Sequence, residues 1–447
     1  MKKLYQFLPY LFLFPFLISG QAVQAQNKIN ADSIRHKMQW FADAKLGIFI
    51  HYGIYAVNGI GESWSFHNKQ ISWPDYMKQL SGFTAQNYQP EQWAALIKES
   101  GAKYAVITTK HHDGVALWGT SEKTYNVVDY TPAKKDIIAP FFQALRKNNI
   151  KAGAYFSLID WSHKDYPGFL SDSDRYSIVA DTMRWYRFKQ FLNHQLTEIS
   201  SKYNPDLWWF DGDWEHSASE WESPKIRSLL LKRNPNTIIN GRLAGYGDYD
   251  TPEQNFPVSR PNYNWWELCM TINDSWGFQP KDQHWKTPNE VISIFADVIA
   301  NGGNLLLDIG PMADGTIPPQ EINILQELGK WNKKHAEAIF ETIGGIAPGH
   351  FYGPTTLSKD STILYLFLPA KTSGQITLKG LDNEIEKVEV LGNGSNLTYK
   401  IVGKVSWSKV PGLVFIDVPN TVLDTYMTVL KVKLTKPLRL YSGKGGL

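Results

Sequence analysis

The chain has a single cysteine, Cys269, among 447 residues. A lone thiol excludes an intrachain disulfide framework, so burial of apolar surface must hold the fold, and a chain this long can bury enough to do so. An excess of charge is also missing. The formal net charge is +3, and Lys2 and Lys3 account for two of those charges, leaving the rest near neutral. Near neutrality supplies no electrostatic footprint for nucleic acid or an anionic membrane, and neither is expected as a partner. Beyond the first 25 residues no apolar run is long enough to span a bilayer. No Gly-x-Gly-x-x-Gly follows the first predicted strand, which argues against a dinucleotide fold. Internal repeats and low-complexity segments are absent as well.

The first 25 residues read as a secretory signal peptide. Lys2-Lys3 forms a charged start, Leu8 to Ile18 is an apolar core, and Val23-Gln24-Ala25 offers small residues for cleavage. No cysteine follows that core, so it carries no lipid attachment point. Export to a periplasmic or extracellular location is expected, or to the lysosome in a eukaryote.

Aromatic residues are plentiful, 14% of the chain with 17 tryptophans. Large aromatic cores account for part of this. The alternative use is sugar binding, in which ring faces cover the C–H faces of pyranoses while polar groups take the hydroxyls.

From about residue 34 to 345, apolar strands alternate with amphipathic helices. The strands are read over 45–53, 103–110, 150–157, 207–211, 237–242 and 304–311. Helices are expected over 91–100, 136–149, 178–203, 225–234, 289–300 and 319–343. Asp136 is a plausible N-cap. The stretch 244–263 has no period and reads as an irregular loop. No sixth strand can be placed in it, and 265–270 is either that strand or the next. Seven or eight βα units imply a parallel sheet and fit a (β/α)8-like (TIM) barrel over residues 26–345 better than an open sheet. After Gly344-Gly345 the pattern changes to short strands separated by Gly, Pro and Asn turns, which predicts a C-terminal β-sandwich over 346–447.

The predicted strand ends share a composition. His51, His111, His112, Tyr155, Asp211, Arg242 and Asp308 each fall at or just past an apolar strand. A single histidine in such a place is ordinarily a hydrogen-bonded structural group. Seven polar residues converging on one barrel mouth are better explained as an active site, because the C-terminal ends of the strands are where barrels carry chemistry. The stretch Leu207-Trp208-Trp209-Phe210-Asp211-Gly212 is a buried strand that stops on a carboxylate. Hydrolysis of a glycosidic bond with retention needs two carboxyl groups, a nucleophile and an acid/base. Asp211 is the candidate nucleophile. Asp213 is its rival, although its place after Gly212 puts it in the loop. For the partner, Asp248, Asp250, Glu253 and Glu267 are available, and each has a structural alternative.

These residues bring a family into view. Trp40-Phe41 followed by Gly47-Ile-Phe-Ile-His51-Tyr-Gly53, Lys110-His111-His112-Asp113-Gly114, Trp209-Phe210-Asp211-Gly212 and Gly302-Gly303-Asn304-Leu-Leu-Leu-Asp308-Ile-Gly310-Pro311 together resemble glycoside hydrolase family 29, the retaining α-L-fucosidases. The resemblance covers essentially the whole chain after the leader. It implies a catalytic β/α barrel followed by a β-sandwich, and an exo-acting enzyme that removes terminal α-L-fucose from a fucosylated oligosaccharide or glycoconjugate, with no cofactor and no metal. Position by position, it implies Asp211 as nucleophile and His51, His111 and His112 as fucose-hydroxyl ligands. Tyr155, Trp209 and Arg242 match further pocket positions, and Glu62 or Trp64 supplies another contact. Trp276 resembles the aromatic beside the sugar methyl. Glu253 sits where the family's acid/base is expected relative to Arg242, with Glu267 as runner-up.

Two other readings stand beside this one. A metal-dependent barrel hydrolase would use His51, His111, His112 and Asp308 as ligands. The first strand lacks a His-x-His pair, and adjacent His111 and His112 point oppositely if extended. A non-catalytic sugar-binding relative would keep the pocket without turnover, and an intact Asp211–Glu253 pair argues against it. Linkage preference depends on loops around the barrel mouth, and neither it nor the oligomeric state is legible in the chain.

Overall fold

The structure, a computed structural model, describes residues 33–168, 175–261 and 263–443. The predicted leader over 1–25 lies outside the described residues.

Seven strands form one parallel sheet: β1 (Leu46–Ile50), β2 (Tyr104–Lys110), β3 (Lys151–Ser157), β4 (Leu207–Asp211), β5 (Ile238–Ile239), β6 (Glu267–Thr271) and β7 (Asn304–Ile309). Their order is β5-β4-β3-β2-β1-β7-β6, so the last strand returns to the first. That return is the expected closing contact, with Leu46 opposite Leu305 and Ile50 opposite Ile309. The strands are almost wholly buried, as near-continuous apolar runs covered on both faces must be.

The position between β5 and β6 is where sequence reading found only a loop. Single parallel bridges join Asn240 to Tyr249, Asp250 to Trp266 and Glu253 to Cys269. The segment 249–253 therefore stands in the place of a sixth strand, stitched to its neighbours at separate points. Proline at 252 supplies no N–H to a ladder, and the Gly- and Asp-rich approach favours turns. The stretch around 265–270 is thus the following strand, β6. Eight strand positions surround the core, and the expected barrel stands.

Helices cover the outside at Pro90–Glu99, Ile138–Lys147, Thr182–Tyr203, Ser223–Arg233, Pro288–Ala300 and Pro319–Ile339. Asp136 caps the second, accepting from the backbone N–H groups of Ile138 (2.8 Å) and Ala139 (3.0 Å). The helix over 182–203 starts four residues later than its periodicity suggests, because the Asp181 side chain accepts the Arg184 N–H and sets the start. The last helix ends at Ile339, not at residue 343, since Ile343–Gly344 is already a strand (β8) paired with β9 (Thr355–Leu357).

The C-terminal strands make two antiparallel sheets. One carries β8 and β9 with β10 (Ile363–Leu368), β12 (Ile385–Val390) and β15 (Thr428–Leu434). The other carries β11 (Gly374–Lys379), β13 (Tyr399–Val402) and β14 (Leu413–Val418). A separate apolar core, with Leu364, Leu366, Ile376, Ile416 and Val432, lies between the sheets. Strands β9 and β13 escape sequence reading because they are short and carry little apolar alternation.

Candidate active site

Asp211 is the last residue of β4, and its carboxylate is held from three sides. The Tyr155 hydroxyl donates to Oδ2 at 2.9 Å, Arg242 Nη1 donates to Oδ1 at 3.1 Å, and His112 Nε2 stands 3.6 Å from Oδ2. The strand end is fixed by Asn240, whose amide bonds both the N–H (2.8 Å) and the C=O (2.9 Å) of Phe210. This side chain replaces the ladder bonds that the two-residue β5 cannot make. Gly212 then turns the chain at φ 81°, where a Cβ would lie 2.7 Å from Ile159 Cγ1. Asp213 lies in that turn, where its Oδ2 accepts the Ala244 N–H (2.8 Å).

Arg242 lies at the centre of the site. Nη1 holds Asp211, Nη2 donates to Glu253 Oε2 at 2.7 Å, Nε donates to Thr251 Oγ1 at 3.0 Å, and the guanidinium lies over the Trp209 ring at 4.6 Å. Burial works against its charge, but the two carboxylates and Cys269 outweigh that and raise its pKa above the ordinary arginine value. One rigid fork thereby links two carboxylates from segments about forty residues apart. Glu253 projects from the irregular sixth position, and its side chain keeps 40% exposure against 13% for Asp211.

Glu267 occupies a different place. It is the first residue of β6, at the opposite end from the strand termini that carry Asp211, and it is fully buried. Trp209 Nε1 donates to one oxygen at 2.9 Å and the Tyr104 hydroxyl to the other at 2.5 Å. Burial raises its pKa to about 7. It props the tryptophan under Arg242 from below. Asp248 is used structurally as well, pairing with Arg227 at 2.6 Å and accepting the Ile239 N–H.

The histidines form a wall beside Asp211. Each turns Nδ1 to a different partner: His51 to Asp308 Oδ1 (2.6 Å), His111 to Ser63 Oγ (2.7 Å) and His112 to Ser157 Oγ (2.6 Å). Ser157 spends its hydroxyl proton on the Ile159 carbonyl (2.7 Å). Its oxygen must therefore accept from His112, which puts the proton of that imidazole on Nδ1 and leaves Nε2 a bare acceptor facing the site. Nε2 has no hydrogen-bond partner among the described residues. Burial first, then neighbouring cations, lowers the His112 pKa to about 3. Burial and His111 lower His51, and burial and His112 lower His111, well below the ordinary imidazole range. The wall is neutral.

Aromatic rings complete the enclosure. His111 stacks on Tyr155 with centroids 5.6 Å apart, Tyr155 stacks on Trp209 at 5.7 Å, and Trp276 approaches His51 at 5.0 Å. Glu62 is buried, and its Oε1 accepts the Gly277 N–H at 2.5 Å, which ties the Trp276 loop to the first barrel loop. Trp64 meets His112 edge-on at 5.6 Å. The structure thus gathers Asp211, Glu253, Arg242, Tyr155, Trp209, Trp64, Trp276 and the three histidines at one barrel mouth, with Glu62 behind and Glu267 below. Sequence reading missed Ser63 and Ser157, which orient histidines. It also missed Trp214, half exposed and stacked on Trp64 at 6.2 Å. Its position three residues past Asp211, in the loop that must border the site, was the available signal.

A parallel barrel whose strand ends join two carboxylates through one arginine, inside a neutral cage of aromatic and imidazole rings, is a carbohydrate-cleaving type of barrel. The family model for alpha-L-fucosidase matches residues 17–337. The plasma alpha-L-fucosidase of Rattus norvegicus is 32% identical over 397 residues, covering 80% of this chain and 84% of that protein. Alpha-L-fucosidase isoenzyme 1 from Paenibacillus thiaminolyticus superposes with a TM-score of 0.81 at 28% identity, over 90% of this chain and all of the other. A GH29 alpha-L-fucosidase from Bacteroides thetaiotaomicron, solved as a trapped covalent intermediate, superposes at 0.79 with 27% identity, over 89% and 96% of the two chains. The chain belongs to the alpha-L-fucosidase family, glycoside hydrolase family 29.

Proposed function

We propose that the protein is an exo-acting retaining α-L-fucosidase that removes terminal α-L-fucose from a glycan by double displacement. The observation that carries this reading is the single guanidinium of Arg242 touching both Asp211 and Glu253. Asp211, held still by Tyr155, Arg242 and the Asn240 clamp, attacks the anomeric carbon. Glu253, on the more exposed segment, donates a proton to the departing oxygen and then takes one from the water that cleaves the fucosyl-enzyme. His51, His111 and His112 with Tyr155 meet the fucose hydroxyls, and the bare Nε2 of His112 accepts from one of them. Trp209, Trp64 and Trp276 cover the apolar edges of the sugar. The Bacteroides relative was trapped with 2-fluoro-fucosyl fluoride using a glutamate-to-glutamine mutant. That supports a covalent intermediate and a glutamate partner here.

Asp211→Ala should lose nearly all turnover of an aryl α-L-fucoside, and azide should restore part of it as β-fucosyl azide. Unchanged activity would remove Asp211 from the mechanism. For the partner, Glu253→Ala and Glu267→Ala are compared on good and poor leaving groups. The acid/base variant loses far more on the poor one, because only that bond needs protonation. A selective loss in Glu267→Ala would reverse the assignment.

The leader over 1–25 supports export, as does the name of the rat plasma relative. Among the described residues no helix is long and apolar enough to cross a membrane. The amino-terminal sequence of the exported protein should begin at Gln26; recovery of intact Met1 in the mature protein would refute cleavage.

A further inference from the structure

His51 turns its Nδ1 toward a group of buried acids that the mechanism does not use. Asp308, on β7, is fully buried, and its Oδ1 lies 2.6 Å from His51 Nδ1. Its Oδ2 has no hydrogen-bond partner among the described residues. Glu321, in the first turn of the helix Pro319–Ile339, is buried too. Its Oε1 accepts the Gly310 N–H at 3.0 Å, and its Oε2 likewise has no partner among the described residues. Glu62 is also near enough to disfavour a charge on Asp308.

Among the described residues no lysine or arginine pairs with Asp308 or Glu321. The one base that touches Asp308 is His51, itself held neutral by burial and His111. An ionised carboxylate without a counter-charge costs several kcal/mol to bury, so a group in this position keeps its proton. The environment acts in the same sense. Burial, then Glu321 and Glu62, raise Asp308 well above the ordinary carboxylate range, and burial raises Glu321 to about 8. A protonated carboxyl is a single O–H donor, and a buried donor needs an acceptor. On Oδ2 the Asp308 proton would meet none among the described residues. On Oδ1 it meets His51 Nδ1.

We propose that Asp308 is a proton-bearing positioning residue that donates to His51 Nδ1, so that the imidazole proton sits on Nε2 and His51 faces the site as a donor. The neutral wall then has two polarities. His112 is an acceptor, because Ser157 takes its Nδ1 proton. His51 is a donor, because Asp308 fills its Nδ1. A hydroxyl that meets His51 has to accept, and one that meets His112 has to donate. What this does to a fucose hydroxyl rests on the fucosidase reading; the place of the proton does not.

The test uses the ligand-free protein with 15N-labelled histidine, the His51 signals being assigned by their loss in His51→Gln. Two-bond 1H–15N spectra at neutral pH should place the His51 proton on Nε2 and the His112 proton on Nδ1. The infrared difference between wild type and Asp308→Asn should show the loss of one protonated-carboxyl C=O stretch and of no carboxylate band. The Asn amide can donate to Nδ1 from the same place, whereas Asp308→Leu offers no donor. On an aryl α-L-fucoside kcat/KM should therefore be at least about five-fold higher in Asp308→Asn than in Asp308→Leu. A proton on His51 Nδ1 in the wild type, a carboxylate band lost in Asp308→Asn, or equal kcat/KM in the two variants would overturn the proposal. A protein whose His51 carries its proton on Nε2 but which turns over no α-L-fucoside would strike at the fucosidase reading instead, and would leave the place of the proton standing.

Discussion

Burial decides the protonation of the site's histidines. Three imidazoles are held below their ordinary pKa, His112 down to about 3, so protonation cannot charge the wall at working pH. Their ring proton resonances should stay constant from pH 8 to pH 5; a titration near pH 6.5 in any of the three would contradict this. A neutral wall next to the Asp211 carboxylate is able to take hydroxyl hydrogen bonds without pairing with that carboxylate as a cation would. His51 is held by Asp308, a buried carboxyl whose own pKa is raised by burial and by Glu321 and Glu62. Asp308→Ala should lower kcat/KM on an α-L-fucoside about five- to hundred-fold, the value of roughly 1–3 kcal/mol for leaving one buried polar group without its partner. Loss of less than two-fold would show that His51 orients without it. Residue types at strand ends were legible in the sequence, because polar residues closing apolar runs are conspicuous. Their orienting partners Ser63 and Ser157 were not, because a serine's role depends on what it faces across the barrel.

At the scale of elements, β6 carries a buried acid at its start. The folded protein favours neutral Glu267, with a pKa raised from 4.5 to about 7. The unfolded chain releases that proton earlier, so the contribution is fully present below about pH 4.5 and is lost as pH rises through about 7. Relative to Glu267→Gln, the wild type should lose on the order of 3 kcal/mol of unfolding free energy between pH 4.5 and pH 8. Parallel denaturant curves for the two proteins across that range would disprove it. The turn after β4 is a second such element. Gly212→Ala places a methyl against Ile159 in a left-handed turn and should cost roughly 1–3 kcal/mol along with most of the activity. A midpoint and kcat equal to wild type would show that the turn relaxes freely.

For the whole molecule, barrel and sandwich share structure through the helix Pro319–Ile339. Trp331 Nε1 donates to the Met427 carbonyl at 2.8 Å, the Tyr426 hydroxyl bonds Glu327 at 2.8 Å, and Lys334 pairs with Asp424. Tyr365, Phe367, Met427 and Val429 belong to the barrel's apolar cluster, not to the sandwich's own. Removing the sandwich would bare this face, so the two parts should unfold in one calorimetric transition. Trp331→Ala should destabilise that single transition by about 3–5 kcal/mol. Two resolved transitions in the wild type would show that the parts are energetically separate.

The sequence by itself determined the barrel, the sandwich and the carboxylate that ends β4, because these are written in local patterns: apolar runs, helical period, turn residues. For the second carboxyl, local patterns left Asp248, Asp250, Glu253 and Glu267 open, and the preference for Glu253 came from the family resemblance. Only the tertiary structure separated the candidate carboxyls in space. Glu267 and Glu253 are alike as residues, yet one is sealed beneath Trp209 while the other meets Arg242 at an open mouth. It also decided that an aperiodic loop stands in for a strand. Both outcomes depend on contacts between segments far apart in the chain, and local periodicity carries no information about those.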